Sequence, residues 1–164
     1  MLEEQALNTS LHDRTSFRCG VSTLDDYLHR FAAQQSARGV SAVYVLVDTE
    51  QPSRILGFYT LSAAQVDVLH INESDRKKLP LYPVPCFRMG RLACSATHRG
   101  QGLGKLLLGC AVERCLQARK QVAAFAMLVD AKNDNAKAFY LHYGFTPCAD
   151  SPLKLYLPLG STAP

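Results

Sequence analysis

The segment "HRGQGLGKLLL", residues 98–108, alternates glycine with other residues and then becomes apolar. Glycine lets the backbone approach a ligand closely. A helix that begins behind such a loop points unpaired N–H groups and the positive end of its dipole at an anion. The segment therefore predicts a phosphate-binding loop that opens a helix.

Two common phosphate loops do not fit this segment. A Walker A loop, G-x-x-x-x-G-K-[ST], needs glycine where Arg99 stands and a hydroxyl residue where Leu106 stands. A dinucleotide fingerprint, G-x-G-x-x-G, fails because its third glycine falls on Lys105 or Leu107. The pattern that fits is R-x-x-G-x-G, from Arg99 to Gly104, so neither ATP nor NAD is indicated.

The hydrophobic and turn patterns around the loop predict an alternation of strands and helices. Predicted helices cover 22–39, 103–120 and 133–144, and predicted strands cover 41–48, 55–68, 86–96, 122–130 and 153–159. We expect 41–48 and 55–68 to pair antiparallel, and the apolar run 122–130 to form a buried, parallel strand. A short helix and an irregular loop are expected over 72–85, and fraying over 160–164. The order predicts an α/β (α+β) fold with helices on both faces of a mixed sheet.

Length and composition are those of one domain, 1–164, with a core over about 17–159. No apolar run approaches the length of a membrane span, and the acidic start is not a secretory leader, so a cytoplasmic location is expected. The six cysteines include no C-x-x-C pair, and we expect reduced thiols and no metal site.

Three further segments stand in a fixed order around the glycine loop: "GRLACSA" (90–96) before it, and "AFAMLVD" (124–130) and "NDNAKAFYLHYGF" (133–145) after its helix. Together with R-x-x-G-x-G they resemble the GNAT (GCN5-related) N-acetyltransferases. The resemblance implies the GNAT fold, a mostly antiparallel central sheet that is splayed at an acetyl-CoA site.

A narrower resemblance runs from about Phe17 to Leu159. "FRCGVSTLDDYLHRFAAQQ" (17–35) and "LPLYPVPCFRMGRLACS" (79–95) are similar to segments of the GNAT toxins of type II toxin–antitoxin pairs. That resemblance implies acetylation of the α-amine of aminoacyl-tRNA, a ribbon-helix-helix antitoxin as partner, and a homodimer. Two alternatives stay open: a GNAT that acetylates a small-molecule or protein amine, and a non-enzymatic acetyl-CoA-binding module.

The resemblance also implies which residues bind acetyl-CoA. Backbone N–H groups of the loop suit the pyrophosphate, and the strand before the loop would pair with the pantetheine arm. Asn133 would bond that arm, cap the helix that follows it, or do both. The implied cofactor-binding residues are Leu92, Ala93, Cys94, Arg99, Gly100, Gln101, Gly102, Leu103, Gly104, Lys105, Asn133, Tyr140 and Tyr143.

Tyr140 is the predicted catalytic residue. Attack of an amine on a thioester expels a thiolate, and a phenol is a suitable proton donor to it. Tyr143 lies three residues away, on a neighbouring helix face, so the sequence does not separate the two tyrosines. Cys94 has no evident histidine partner, and we expect it to pack rather than to carry the acetyl group.

Positive charge is concentrated in one span. No Asp or Glu occurs from Arg76 to Val112, whereas the whole chain has a net charge of only +4. An RNA substrate needs phosphate contacts, and a small polyamine would favour an acidic pocket. Scattered, solvated charges remain the alternative. The candidate RNA-binding residues are Lys77, Lys78, Arg88 and Arg91.

Overall fold

The computed structural model describes residues 1–160, so most of the tail that was expected to fray (160–164) lies outside the described residues. The strands are β1 (Leu2–Ala6), β2 (Ala42–Asp48), β3 (Gly57–Val66), β4 (Val84–Cys94), β5 (Ala126–Asp130), β6 (Thr146–Cys148) and β7 (Ser151–Pro158). The α-helices are α1 (Ser22–Asp26), α2 (Ala32–Ala37), α3 (Glu73–Arg76), α4 (Leu103–Ala118) and α5 (Asp134–His142). A π-helical turn, Tyr27–Phe31, joins α1 to α2. No helix in this part of the chain is long and apolar enough to cross a membrane.

The strands form a mixed sheet in the order β1-β2-β3-β4-β5-β7-β6. The pairs β1–β2, β2–β3, β5–β7 and β6–β7 are antiparallel. The strands β4 and β5 run parallel, with a register from Cys86↔Ala126 to Met89↔Val129. These pairings confirm the mixed α/β class, the antiparallel pair at 41–48 and 55–68, and the parallel strand within 122–130.

The sequence patterns missed two short strands and misplaced one strand boundary by more than two residues. β1 is acidic and mostly exposed, and β6 has only three residues, so neither shows the alternation that marks a half-buried strand. β5 begins at Ala126 rather than at residue 122, because Val122 belongs to the turn after α4 and is 67% exposed. The predicted helix over 22–39 is interrupted by the π-helical turn.

One compact unit consists of Met1–Ser62 and Gly90–Glu113. Phe58 on β3 lies in its core, edge-on to Phe17 at 5.6 Å and stacked with Tyr27 at 6.1 Å between ring centroids. Aromatic rings in these arrangements add to the hydrophobic gain of burial. The core therefore fixes the π-helical turn against β3.

A second compact unit consists of Ala63–Met89 and the chain from Arg114 onward. Tyr156 on β7 is fully buried in its core, and its hydroxyl donates to Asp75 Oδ2 at 2.7 Å and accepts from the Asn72 N–H at 3.1 Å. Asn72 also caps α3 through its side chain. These bonds hold the short helix that precedes Lys77 and Lys78.

A buried histidine makes the first unit sensitive to acid. His12 is 4% exposed, and its Nδ1 accepts the Asn8 N–H at 2.9 Å while Nε2 lies 2.9 Å from Gln5 Oε1. Burial lowers the pKa of His12 below its usual 6.5. Protonation of Nδ1 would remove the acceptor that the Asn8 N–H uses.

We therefore expect the free energy of unfolding to fall as the pH drops below 6.5. The unfolded chain protonates His12 before the folded chain does, so the contribution of neutral His12 is complete above pH 6.5 and is lost as the pH falls through the folded pKa. Urea unfolding at pH 7.5 and 5.0 measures this loss of unfolding free energy. His12→Gln is the control, since the glutamine side chain does not titrate. Equal pH dependence in both proteins would contradict the assignment.

Candidate active site

The glycine loop has the backbone conformation that its sequence predicts. Gly100 and Gly102 have φ of +78° and +75°, the left-handed region that favours glycine, and a Cβ at either position would meet nothing within 4 Å. The glycines are thus needed for conformation, and the surface above them is open. α4 begins directly behind, at Leu103, so its first N–H groups have no partner within the helix. An open loop with such donors fits a pyrophosphate.

Arg99, the first residue of the motif, is tied to a distant segment. Its Nη2 donates to the carbonyl oxygen of Cys19 at 3.0 Å, and the N–H of Cys19 donates to buried Asp25 at 2.8 Å. Gly20 has φ +90°, and a Cβ there would collide with the Arg99 guanidinium. The resemblance implies Arg99 only as a cofactor-binding residue, and no local sequence pattern indicates this contact.

The end of β4 is packed tightly against β3. The Ser95 N–H donates to the Leu56 carbonyl at 2.8 Å, and a Cβ on Gly57 would lie 2.9 Å from the Ala93 carbonyl oxygen and 2.6 Å from Leu107 Cδ1. Ala93 is buried, whereas Leu92 and Cys94 are half-buried. Gly57 therefore allows the close approach that positions the strand leading into the loop.

The thiol of Cys94 is suited to packing. Burial raises its pKa, and the reactive form of cysteine is the thiolate. A thiol kept neutral near pH 7 is a poor nucleophile, and the packing role of Cys94 stays a prediction.

Asn133 begins α5 as its N-cap. Its Oδ1 accepts the Ala136 N–H at 2.9 Å, which confirms the capping role among the two that the sequence left open. The helix is short, and capping of this kind stabilises a helix by about 1 kcal/mol. The cap therefore helps to fix the helix that carries both tyrosines.

The two tyrosines of α5 have different surroundings. Tyr140 is 7% exposed and its ring packs against Phe139 and Phe145, each at 5.3 Å between centroids. Tyr143 is half-buried and lies edge-on to Phe139 at 5.0 Å. Burial, and next the negative charge of Asp130, raise the pKa of Tyr140. Its phenol therefore keeps its proton near neutral pH, as a proton donor must.

The four candidate RNA-binding residues differ in how their charges are compensated. Lys77 and Lys78 are exposed. Arg88 donates from Nη1 to Asp130 Oδ2 at 2.5 Å, so a carboxylate from outside the acid-free span partly neutralises it. Arg91 lies over the Tyr27 ring, with its Cζ 3.6 Å from the ring centroid.

The predicted site residues fall in both compact units. The first unit holds Arg91, the residues Leu92, Ala93 and Cys94, and the loop from Arg99 to Lys105. The second holds Lys77, Lys78, Arg88, Asn133, Tyr140 and Tyr143. Within the first unit, two hydrogen bonds tie this region to the segment before α1: Arg99 of the loop donates to the Cys19 carbonyl, and the Ala96 N–H after β4 donates to the Arg18 carbonyl at 2.8 Å.

Comparison with known proteins identifies relatives along most of the chain. Residues 39–147 match the family described as acetyltransferase (GNAT) domain. A Mycobacterium tuberculosis protein named tRNA-acetylating toxin is 38% identical over 145 residues, which cover 88% of this chain and 85% of that protein. AtaT complexed with acetyl-methionyl-tRNAfMet matches with a TM-score of 0.90 at 27% identity, over 96% of this chain and 95% of that one. AtaTR bound with AcCoA matches with a TM-score of 0.83 at 27% identity, over 96% and 94%.

The matched family region contains the strand, the glycine loop, α4 and the capped helix α5 that the sequence patterns singled out. The loop geometry suits a pyrophosphate, and the relatives cover the chain nearly from end to end. The chain therefore belongs to the GNAT family and is an acetyl-CoA-dependent N-acetyltransferase.

Proposed function

We propose that the protein acetylates the α-amine of aminoacyl-tRNA and thereby stops translation. The observation that carries this proposal is the 38% identity, over 88% of the chain, to a protein named tRNA-acetylating toxin. The likeness to AtaT in complex with acetyl-methionyl-tRNAfMet supports it. An acetylated α-amine is no longer a nucleophile, so the amino acid cannot attack the ester of the peptidyl-tRNA.

In this proposal the acetyl-CoA pyrophosphate lies on the backbone N–H groups from Gly100 to Lys105, at the start of α4. Leu92, Ala93 and Cys94 offer backbone groups to the pantetheine arm, and the family resemblance adds Asn133 and Tyr143 as cofactor-binding residues. The left-handed glycines and the open surface above them support this assignment. Lys105 is exposed and adds positive charge at the loop.

Tyr140 acts as the general acid. Acetyl-CoA supplies the acetyl group, and its sulfur leaves as the amine nitrogen takes that group. Tyr140 Oη donates its proton to the departing sulfur as the C–S bond breaks and the C–N bond forms. The proton that the amine nitrogen loses returns to the Tyr140 phenolate through solvent, which restores the acid. The support for this role is the resemblance of "NDNAKAFYLHYGF" (133–145) to the family segment that carries the acid. Burial raises the pKa of Tyr140, so its hydroxyl is protonated before the reaction.

Phosphate contacts to the RNA come from Lys77, Lys78 and Arg91, with a smaller share from Arg88. The ion pair of Arg88 with Asp130 supports this ranking, because a carboxylate already compensates its charge. The exposed lysines supply attraction that depends on salt but not on base sequence.

The proposal extends to partners and location. We expect a small ribbon-helix-helix antitoxin that holds the enzyme inactive, a homodimer, and a cytoplasmic site of action, where charged tRNA is found. An antitoxin gene directly beside this one would support the assignment.

Addition of the protein and acetyl-CoA to a cell-free translation reaction is expected to halt synthesis. Mass spectrometry of the aminoacyl end should then find one acetyl group on the α-amine. Omission of acetyl-CoA is the control, and it should leave synthesis intact. If synthesis continues although the protein binds acetyl-CoA, the proposal is wrong and the acceptor is instead a small-molecule or protein amine.

A further inference from the structure

We infer that Tyr27 is a positioning residue, which holds the Arg91 guanidinium flat so that its N–H groups grip a phosphate of the RNA substrate. The inference rests on the proposed function. The Arg91 Cζ lies 3.6 Å from the centroid of the Tyr27 ring. Tyr27 is 3% exposed and its ring is stacked with that of Phe58 at 18°. The ring beneath Arg91 is thus fixed by the core.

Arg91 carries a charge that nothing nearby compensates. Within residues 1–160 it makes no ion pair, and no carboxylate contacts it. Arg88, three residues earlier on the same strand, is paired with Asp130. The two arginines of β4 thus differ. Arg88 is paired with a carboxylate, whereas Arg91 is held over the Tyr27 ring and is available to an anion.

A guanidinium held through its face keeps its N–H donors in one plane, where they match the oxygens of a phosphate. Because the side chain is ordered before the ligand arrives, less conformational entropy is lost on binding. Lysine has neither the flat face nor the fork of donors. The absence of Asp and Glu from Arg76 to Val112 favours an anionic ligand here.

The surroundings of the Tyr27 hydroxyl indicate that the aromatic ring, not the hydroxyl, accounts for a tyrosine beneath Arg91. It is buried and has no hydrogen-bond partner among the described residues. A buried hydroxyl of this kind destabilises a fold, so the hydroxyl does not explain an aromatic residue at this position. Phenylalanine retains the face that Arg91 covers, whereas leucine removes it.

The test measures steady-state kinetics of the full chain and of four variants, first with charged tRNA and then with acetyl-CoA as the varied substrate. Tyr27→Leu and Arg91→Lys are expected to raise KM for charged tRNA about 5- to 30-fold, with kcat and KM for acetyl-CoA unchanged. Tyr27→Phe is expected to restore the KM of the unmodified protein. Arg30→Lys is the matched control, because Arg30 lies over an exposed ring, Phe31, at 5.4 Å.

Each result of these kinetic measurements either supports or contradicts the role of Tyr27. If KM for acetyl-CoA rises instead, the phosphate is the cofactor's and the inference is wrong. If charged tRNA is acetylated but KM is the same in every variant, Tyr27 has no positioning role. If the unmodified protein does not acetylate charged tRNA, the proposed function fails and the inference with it. Should Tyr27→Leu not fold, as judged by circular dichroism, Tyr27→Met replaces it, because methionine fills a core site but has no ring for Arg91 to cover; an unchanged KM for charged tRNA in that variant would contradict the inference.

Discussion

Tyr140→Phe is expected to fold, to bind acetyl-CoA, and to lose about a hundredfold or more of kcat. The ring packs against Phe139 and Phe145, and phenylalanine keeps both contacts. Only the hydroxyl is lost, and with it the proton that the departing sulfur would take. General acid catalysis contributes about 10²- to 10⁴-fold to a rate. Calorimetric titration with CoA measures the affinity for the cofactor, and single-turnover kinetics measure the rate of the acetyl transfer.

Tyr143→Phe is the matched control on the same helix. Tyr143 lies edge-on to Phe139 and is half-buried, so we expect the control to affect cofactor binding more than kcat. A Tyr140→Phe enzyme with an unaffected single-turnover rate would remove Tyr140 as the acid. Loss of rate in Tyr143→Phe alone would move the role to Tyr143.

Gly57→Ala is expected to destabilise the fold by about 1–3 kcal/mol, the range found for overpacking of a core. Its Cβ would lie 2.9 Å from the Ala93 carbonyl oxygen, which is backbone and cannot rotate away. Leu107 Cδ1, at 2.6 Å, would also have to move. At roughly 2–4 °C per kcal/mol in a domain of this length, such a loss lowers Tm by about 2–12 °C, as differential scanning calorimetry would show.

Gly109→Ala is the control for the change of glycine to alanine itself. Gly109 lies within α4, and a Cβ there would meet nothing within 4 Å. Alanine favours a helix over glycine by about 1 kcal/mol, so Tm should rise slightly. A Gly57→Ala protein as stable as the unmodified one would show that β3 and β4 can separate at this point.

Features that depend on a few neighbouring residues could be predicted from the sequence. The glycine loop follows from φ preferences at Gly100 and Gly102, and the N-cap follows from Asn133 at the head of a helical pattern. The strands β2 to β5 and β7 follow from apolar runs between turn residues. Local preference and tertiary structure agree at these places.

Features that depend on distant partners could not be predicted. The contact from Arg99 to Cys19 joins residues 80 positions apart, and the ion pair from Arg88 to Asp130 joins residues 42 apart. No local pattern records either pairing. The different burial of Tyr140 and Tyr143 also depends on what packs against α5. The cation–π contact at Tyr27 needed the π-helical turn, which propensity does not indicate.

The peptide group at Cys19 is held from both sides, by Asp25 at its N–H and by Arg99 at its carbonyl. Asp25 belongs to α1, which leads into the turn that carries Tyr27, and Arg99 begins the glycine loop. Any ligand that steadies Arg99 also steadies this peptide and the start of α1. Thermodynamic linkage makes that effect reciprocal. Under the proposed assignment, each substrate would bind more tightly once the other is in place, so the two would bind with positive cooperativity.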